Sequence, residues 1–385
     1  MNNTEHWVSD KPFNPDQATE LTPEQEKVYF ASQWRLMWWK FKKHKLAMAS
    51  GIYLLAMYIM ILFVEFISPY DLQTRHTQYI YSPPQSVHWF DESGDFRGPF
   101  VYGWKQVMDM DTLRRAYVED KSKIYPVKFL HRGEDYKLMG LIPGNLHLFG
   151  VEDGGKIFLL GTDRLGRDMF SRTIHGARIS LTIGLLGITV SFALGLLLGG
   201  MAGYYGGWID NTVQRMTEII RSFPELPLWM ALSALLPVNW SPLWIFFGIT
   251  LILAMLDWTG LARAVRSKLM SLREEDYASA AVLMGAKPKR IIVRHLLPGF
   301  FSHLIASATL SIPAMILGET ALSFLGLGLR PPITSWGVLL NEAQNINIVA
   351  IYPWLILPVL PVIIVILAFN FLGDGLRDAA DPYKH

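Results

Sequence analysis

Ionisable residues inside apolar sequence are the first places to look for chemistry, because a charge at membrane depth is costly unless it is paired or used. Arg215, Glu218, Arg221 and Glu225 follow one another at spacings of 3, 3 and 4. On a helix those spacings share one face, where alternating signs can neutralise one another. The pattern predicts an ion-paired face at one end of a helix bundle or a strip that touches a polar solute. Asp257 and Glu319 stand singly in two other apolar stretches. A proton relay through them would need a chain of partners that the sequence does not offer. Arg215, Glu218, Arg221, Asp257 and Glu319 are thus the candidate pathway or gating residues.

Other chemistry is poorly served. The chain has no cysteine, which removes disulfides, thiolate metal sites and cysteine nucleophiles together. Its histidines are scattered, with neither the H-E-x-x-H pair of zinc hydrolases nor a G-x-S-x-G elbow. Gly150-Val-Glu-Asp-Gly-Gly-Lys156 matches the start of a phosphate-binding loop. Ile157 follows, however, where Ser or Thr would have to meet magnesium. No catalytic residue, resident metal or bound cofactor is expected. A net charge of +2 gives no basic field for nucleic acid.

The elements that must position these groups are membrane helices. Of 385 residues 51% are hydrophobic and 18% charged, and the apolar ones come in blocks long enough to cross a hydrocarbon core of roughly 30 Å. Six spans are expected, near 46–68, 180–203, 212–236, 242–261, 300–322 and 349–372, the third broken by Pro224 and Pro227. Residues 1–33 are polar and acidic, unlike a secretory signal. Lys40, Lys42, Lys43 and Lys45 precede the first span, and Arg263, Arg266, Lys268, Arg273, Lys287, Lys289, Arg290 and Arg294 follow the fourth. Both groups should lie on the cytoplasmic side, which puts both termini inside. Arg164, Arg167, Arg172 and Arg178 then fall outside, at the end of a loop too long to obey the charge rule. Trp34 to Lys45 mixes aromatics and bases at helical spacing, as an interfacial helix does.

Four regions follow: an inner tail with its interfacial helix (1–45), the first span (46–68), an outer insertion (69–160) and a helical core (161–385). The insertion contains strand-like runs at 99–103, 125–131, 137–142 and 156–160, with a turn at 132–135. It is expected to form a small β-containing cap. Gly195, Gly199 and Gly203 are four apart, the spacing that lets two helices approach closely in lipid; glycines lining a permeation path are the alternative. Segment 263–298 is too polar to span and too patterned to be a tether. Tyr277 to Met284 should be a helix, Gly285 its left-handed stop, and Pro288 the first residue of a second helix. Its small residues suggest docking into a groove on another protein.

Here the chain resembles a known family. Ala278-Ser-Ala-Ala281, Gly285 and Leu297-Pro298 are similar to the EAA loop of bacterial ABC importer permeases, with Ser279 in place of the glutamate and His295 in place of an isoleucine. Leu160 to Asp168 with Ser171-Arg172 and Gly176 to Leu181, Glu319 to Gly328 with Pro331-Pro332 and Trp336-Gly337, and Gly373 to Asp378 with Asp381-Pro382 narrow the resemblance to the C-type permeases of the dipeptide/oligopeptide/nickel branch.

The resemblance implies an all-α polytopic fold of six transmembrane helices in a bacterial inner membrane. It implies a second homologous permease, two ABC ATPase subunits that hold the ATP and magnesium, and an extracytoplasmic solute-binding protein. It assigns the ATPase-coupling contact to Asp276, Tyr277, Ala280, Ala281, Leu283, Gly285 and Pro298. The competing reading is an ion-coupled secondary transporter, which would want inverted repeats and a second broken helix to match Pro224 and Pro227. A scaffold or receptor would not need the patterned segment 263–298.

Overall fold

The computed structural model describes residues 30–110, 114–152, 154–237 and 239–380. Most of the expected inner tail, and Asp381-Pro382, lie outside them. The first helix among the described residues is α1 (Gln33–Lys43), whose last turn carries Lys40, Lys42 and Lys43, where cations suit the helix dipole. His44 breaks it from α2 (Lys45–Met60) and caps the new helix, its Nδ1 accepting from the Ala47 N–H at 3.1 Å. Short helical turns extend α2 to Ile67. The segment before the first span is therefore a separate helix, as the aromatic-basic pattern predicts.

The other α-helices of six residues or more among the described residues are α3 (Met169–Tyr205), α4 (Gly207–Ser222), α5 (Glu225–Ala234), α6 (Pro242–Leu272), α7 (Asp276–Leu283), α8 (Phe301–Phe324), α9 (Trp336–Glu342), α10 (Ile346–Ile351) and α11 (Val359–Ala380), and a single turn, Pro288–Arg290, opens at the expected Pro288. Five helical stretches among the described residues are long and apolar enough to cross a membrane: Lys45–Ile67, Met169–Tyr205, Pro242–Leu272, His303–Phe324 and Pro353–Ala380. The expected third span is not one helix. Proline disfavours helical backbone in the residue before it, and Phe223 turns extended ahead of Pro224, dividing the segment into α4 and α5. The fourth span overruns its expected end at 261 and continues to Leu272, so Arg263, Arg266 and Lys268 ride on helix α6 rather than in a loop.

Helices α3 and α6 run parallel. Ile183 packs beside Ile249 and Leu253, and further along the same pair Gly195 meets Leu261, Gly199 meets Ala262 and Gly203 meets Arg266. A Cβ at Gly203 would come within 2.9 Å of the Arg266 Cα. The three glycines thus set helix contact and do not line a path. A second core joins the first span to α3, α8 and α11 through Leu54, Val64, Leu181, Ile316 and Val365.

Between the first span and α3 lies a four-stranded antiparallel meander: β1 (His88–Phe90), β2 (Phe96–Asp109), β3 (Arg114–Leu138) and β4 (Ile142–Val151). The expected turn at 132–135 is instead a register shift inside β3, and the expected strand at 137–142 is the β3–β4 turn with its flanks. The 156–160 run is not a strand. Ile157 and Phe158 plug the core under the sheet, their N–H groups donating to the Tyr70 hydroxyl at 2.9 Å and Gln85 Oε1 at 2.6 Å. Gly150 and Val151 close β4, and Lys156 places its ammonium over the Tyr70 ring at 5.5 Å; the next helix opens only at Met169.

Candidate functional site

Helix α7 packs across the ends of the long helices. The Arg273 guanidinium, one residue past α6, donates to the Tyr204 carbonyl at 3.0 Å and ties the C-terminal ends of α3 and α6 together. Two turns earlier on the same side, Arg266 grips Asp210 of α4 with two hydrogen bonds. From this clamp α7 runs eight residues and stops at Gly285. Gly285 takes φ +76°, the Ala286 N–H returns to the Ala281 carbonyl at 3.0 Å, and the Gly285 N–H to the Val282 carbonyl at 2.9 Å. This pair of bonds is a Schellman stop, and the left-handed residue in it favours glycine.

The helix has two faces. Ala278 and Ala281, both 2% exposed, pack against Val265, Leu269, Ile291, Leu296 and Phe300. Asp276, Tyr277, Ala280 and Leu283 face out, Leu283 at 89% exposure. Met284 joins them at 80%. The structure therefore brings together most of the expected coupling residues and sets two apart. Ala281 turns inward and lets α7 lie close to the core. Pro298 lies beyond a π-helical turn (Ile291–Leu296), beside Trp34 of α1 in a different cavity. Val282 and Met284 are exposed apolar residues that the sequence reading did not single out; apolar character just before a helix-stopping glycine was the available signal.

The charged candidates separate into three settings. Arg215 and Glu218 pair with each other at 2.6 Å on an exposed face of α4. Glu225 opens α5 beyond the break, so the expected four-residue face ends at Arg221. Arg221 and Asp257 line one cavity of about 290 Å³ with Ser191, Ser307 and Ser311. Arg221 Nε donates to Thr259 Oγ1 at 3.1 Å, and Asp257 accepts from the Ser191 hydroxyl at 2.8 Å. Glu319 is elsewhere and wholly buried. Its carboxylate accepts from Ser335 at 2.6 Å, Ser323 at 2.7 Å and Ser180 at 3.2 Å, joining α3, α8 and the start of α9.

One cluster could not be read from spacing. Arg172 donates to Asp163 at 2.6 Å and to both Glu342 oxygens at 2.9 Å, and Arg167 donates to the same two carboxylates at 2.7 and 3.1 Å. Asp163 and Arg167 are four apart, but Glu342 arrives from α9, far along the chain.

Sequence relatives place this architecture. The family model described as a binding-protein-dependent transport system inner membrane component matches residues 195–384. The one described as the N-terminal transmembrane domain of oligopeptide transport permease C matches residues 32–84. All four strands fall in the stretch between those matches. The dipeptide transport system permease protein DppC of Bacillus subtilis is 31% identical over 346 residues, 90% of this chain and 84% of its own length. The DppC of Alkalihalophilus pseudofirmus is 40% identical over 58% of this chain and 71% of its own. The oligopeptide permease OppC of Haemophilus influenzae is 36% identical over 66% and 76%. Among solved structures, a chain of the inward-facing MetNI methionine ABC transporter superposes with a TM-score of 0.41 at 20% identity, over 55% of this chain and 97% of that one. The sequence relatives carry the assignment: this chain belongs to the dipeptide/oligopeptide family of ABC-transporter permeases.

Proposed function

We propose that the chain is the C-type permease of a peptide importer, pairing with a second homologous permease above two ABC ATPase subunits and receiving solute from an extracytoplasmic binding protein. The observation that carries the proposal is α7, a short helix packed beside the clamped ends of α3 and α6 with Leu283 and Met284 exposed at its tip. An apolar knob on a braced helix is suited to a groove on a moving partner. ATP binding would move that partner, and the clamp would pass the movement into α3 and α6, switching the bundle between two packed arrangements. The chain itself hydrolyses nothing; ATP and magnesium belong to the ATPase subunits.

Six crossings fit the topology better than five. Because α3 and α6 are parallel, the chain must return from the clamp side to the opposite side between Tyr205 and Pro242. Among the described residues of that stretch the helical elements are α4 and α5, so the sixth crossing is the broken pair. With the basic α1 and the α7 segment inside, both termini are cytoplasmic and the sheet is outside. Arg221 and Asp257 are the charged groups of this half of the pathway, and a second permease would supply the other half. Glu319 is a structural tie between helices.

The test is Leu283→Asp in the reconstituted transporter. The side chain is exposed, so membrane levels should stay normal while ATP-driven peptide uptake falls at least about tenfold, on the order of 1.4 kcal/mol or more of lost coupling contact. Normal uptake in that variant would refute α7 as the coupling element.

A further inference from the structure

The β3–β4 hairpin ends in a turn whose residues do not suit water. Met139 has φ +52° and Gly140 φ +74°. Turns of that geometry favour Asn, Asp or Gly at both positions. Here the turn and its flanks read Met139-Gly-Leu-Ile142, with Met139 52%, Leu141 83% and Ile142 62% exposed. Leu146 and Leu148, on the outward side of β4, are also exposed.

The hairpin is fastened at the end of the first span. His147 places its two ring nitrogens against the Ser68 and Glu134 carbonyls, and Ser68 directly follows the span. The Glu134 carboxylate accepts from the Asp71 N–H at 3.1 Å and the Thr74 hydroxyl at 2.7 Å. Nearer the tip, Tyr136, Lys137 and Pro143 line one cleft with Asp71. The tip therefore stays close to the level at which the first span leaves the hydrocarbon. The exposed Ile59, Leu62 and Phe63 mark the adjoining lipid-facing surface of that span.

We propose that the hairpin tip, Met139–Ile142, inserts shallowly among the lipids of the outer leaflet beside the first span and fixes the sheet to the membrane surface. The proposal rests on the outward placement of the sheet argued above. Three apolar side chains on a projecting turn are too little for a stable protein interface, which needs on the order of 1,000 Å². They suit the shallow burial of interfacial segments, roughly 5–10 Å deep, and the neighbouring Tyr136 and Lys137 are residue types that favour the headgroup layer. The sheet is then held at two points, its core beneath and its tip in lipid, and cannot swing freely over the outer mouth.

The absence of cysteine makes the test direct. The full chain carrying either Leu141→Cys or Ser93→Cys, the latter in the polar β1–β2 turn, is labelled with an environment-sensitive fluorophore. It is reconstituted in phosphatidylethanolamine–phosphatidylglycerol vesicles with or without brominated acyl chains. The expected result is severalfold stronger quenching by brominated lipid at Leu141→Cys than at Ser93→Cys, with protection of the former from aqueous iodide. Equal iodide quenching at both sites with no effect of brominated lipid would overturn the proposal. So would an emission shift at Leu141→Cys that appears only when a solute-binding protein is added, since that would make the tip a protein contact. Reaction of Ser93→Cys with a membrane-impermeant maleimide on whole cells reports the outward placement separately. Failure there with lipid quenching retained would overturn the topology and the choice of leaflet, but not the insertion.

Discussion

Arg172 is 1% exposed and shares Asp163 and Glu342 with Arg167. Removing one member of a buried ionic group strands the others, at a cost of about 3–5 kcal/mol. Arg172→Met should therefore lower the melting temperature of the detergent-solubilised chain sharply. Arg215→Ala, which breaks an exposed pair, should change stability by about 1 kcal/mol or less. A melting curve for each variant checks both, and equal effects would contradict the burial argument. The sequence showed that arginines gather around the start of α3, but it could not supply their partner. Glu342 stands on α9 and meets them only through the packing of α9 against α3. Residue type also failed to distinguish Ala280 from Ala281. Both are small and helix-forming, and only the direction of α7 relative to Val265 and Leu269 decides that one faces out and the other in.

At the scale of elements, the glycine seam was legible because its cause is local. Spacing of four small residues on a membrane helix has one common use, close helix approach, and α6 fills the gap. A Cβ at Gly199 would already run into the Ala262 backbone. Gly199→Leu should accordingly prevent folding, read as loss of the chain from the membrane fraction, while Leu197→Ala on the exposed side of the same helix should leave its level unchanged. The outer sheet was half legible. Alternation located β2 and part of β3, but the 156–160 run looks like a strand because Ile157 and Phe158 are core residues, whatever their backbone does. Beside that plug, His76 packs between Tyr70 and Phe158, and burial, with Lys156 adding, pushes its imidazole down to about 4. A histidine kept neutral in the fold costs stability once the unfolded chain can bind a proton. The outer region should lose this contribution as pH falls from about 6.5, the ordinary histidine value, toward 4, and His76 should cost nothing further below that. His76→Phe should flatten this dependence, as followed by hydrogen exchange of the β-strand amides.

For the whole molecule, hydropathy was enough to locate the five helices long and apolar enough to cross a membrane, because the bilayer imposes a length rule on every span alike. The stretch between α3 and α6 was the exception. Pro224 and Pro227 signalled a break, but parallel packing of α3 with α6 is a tertiary fact, and the proposed crossing by α4 and α5 rests on it. The cavity holding Arg221 and Asp257 was equally hidden, since those residues come from different helices. If the pair lies on the solute path, Asp257→Asn should reduce peptide uptake severalfold in the reconstituted transporter and leave solute-independent ATP hydrolysis near its normal rate. Loss of both activities together would assign Asp257 to folding instead. The central claim, that this chain is one permease of an ATP-driven importer, is tested most directly by purifying it in mild detergent from its native membrane and identifying what comes with it. The account predicts a second permease of the same family and one or two ABC ATPases. Recovery of the chain alone or as a homo-oligomer, with uptake driven by an ion gradient, would contradict it.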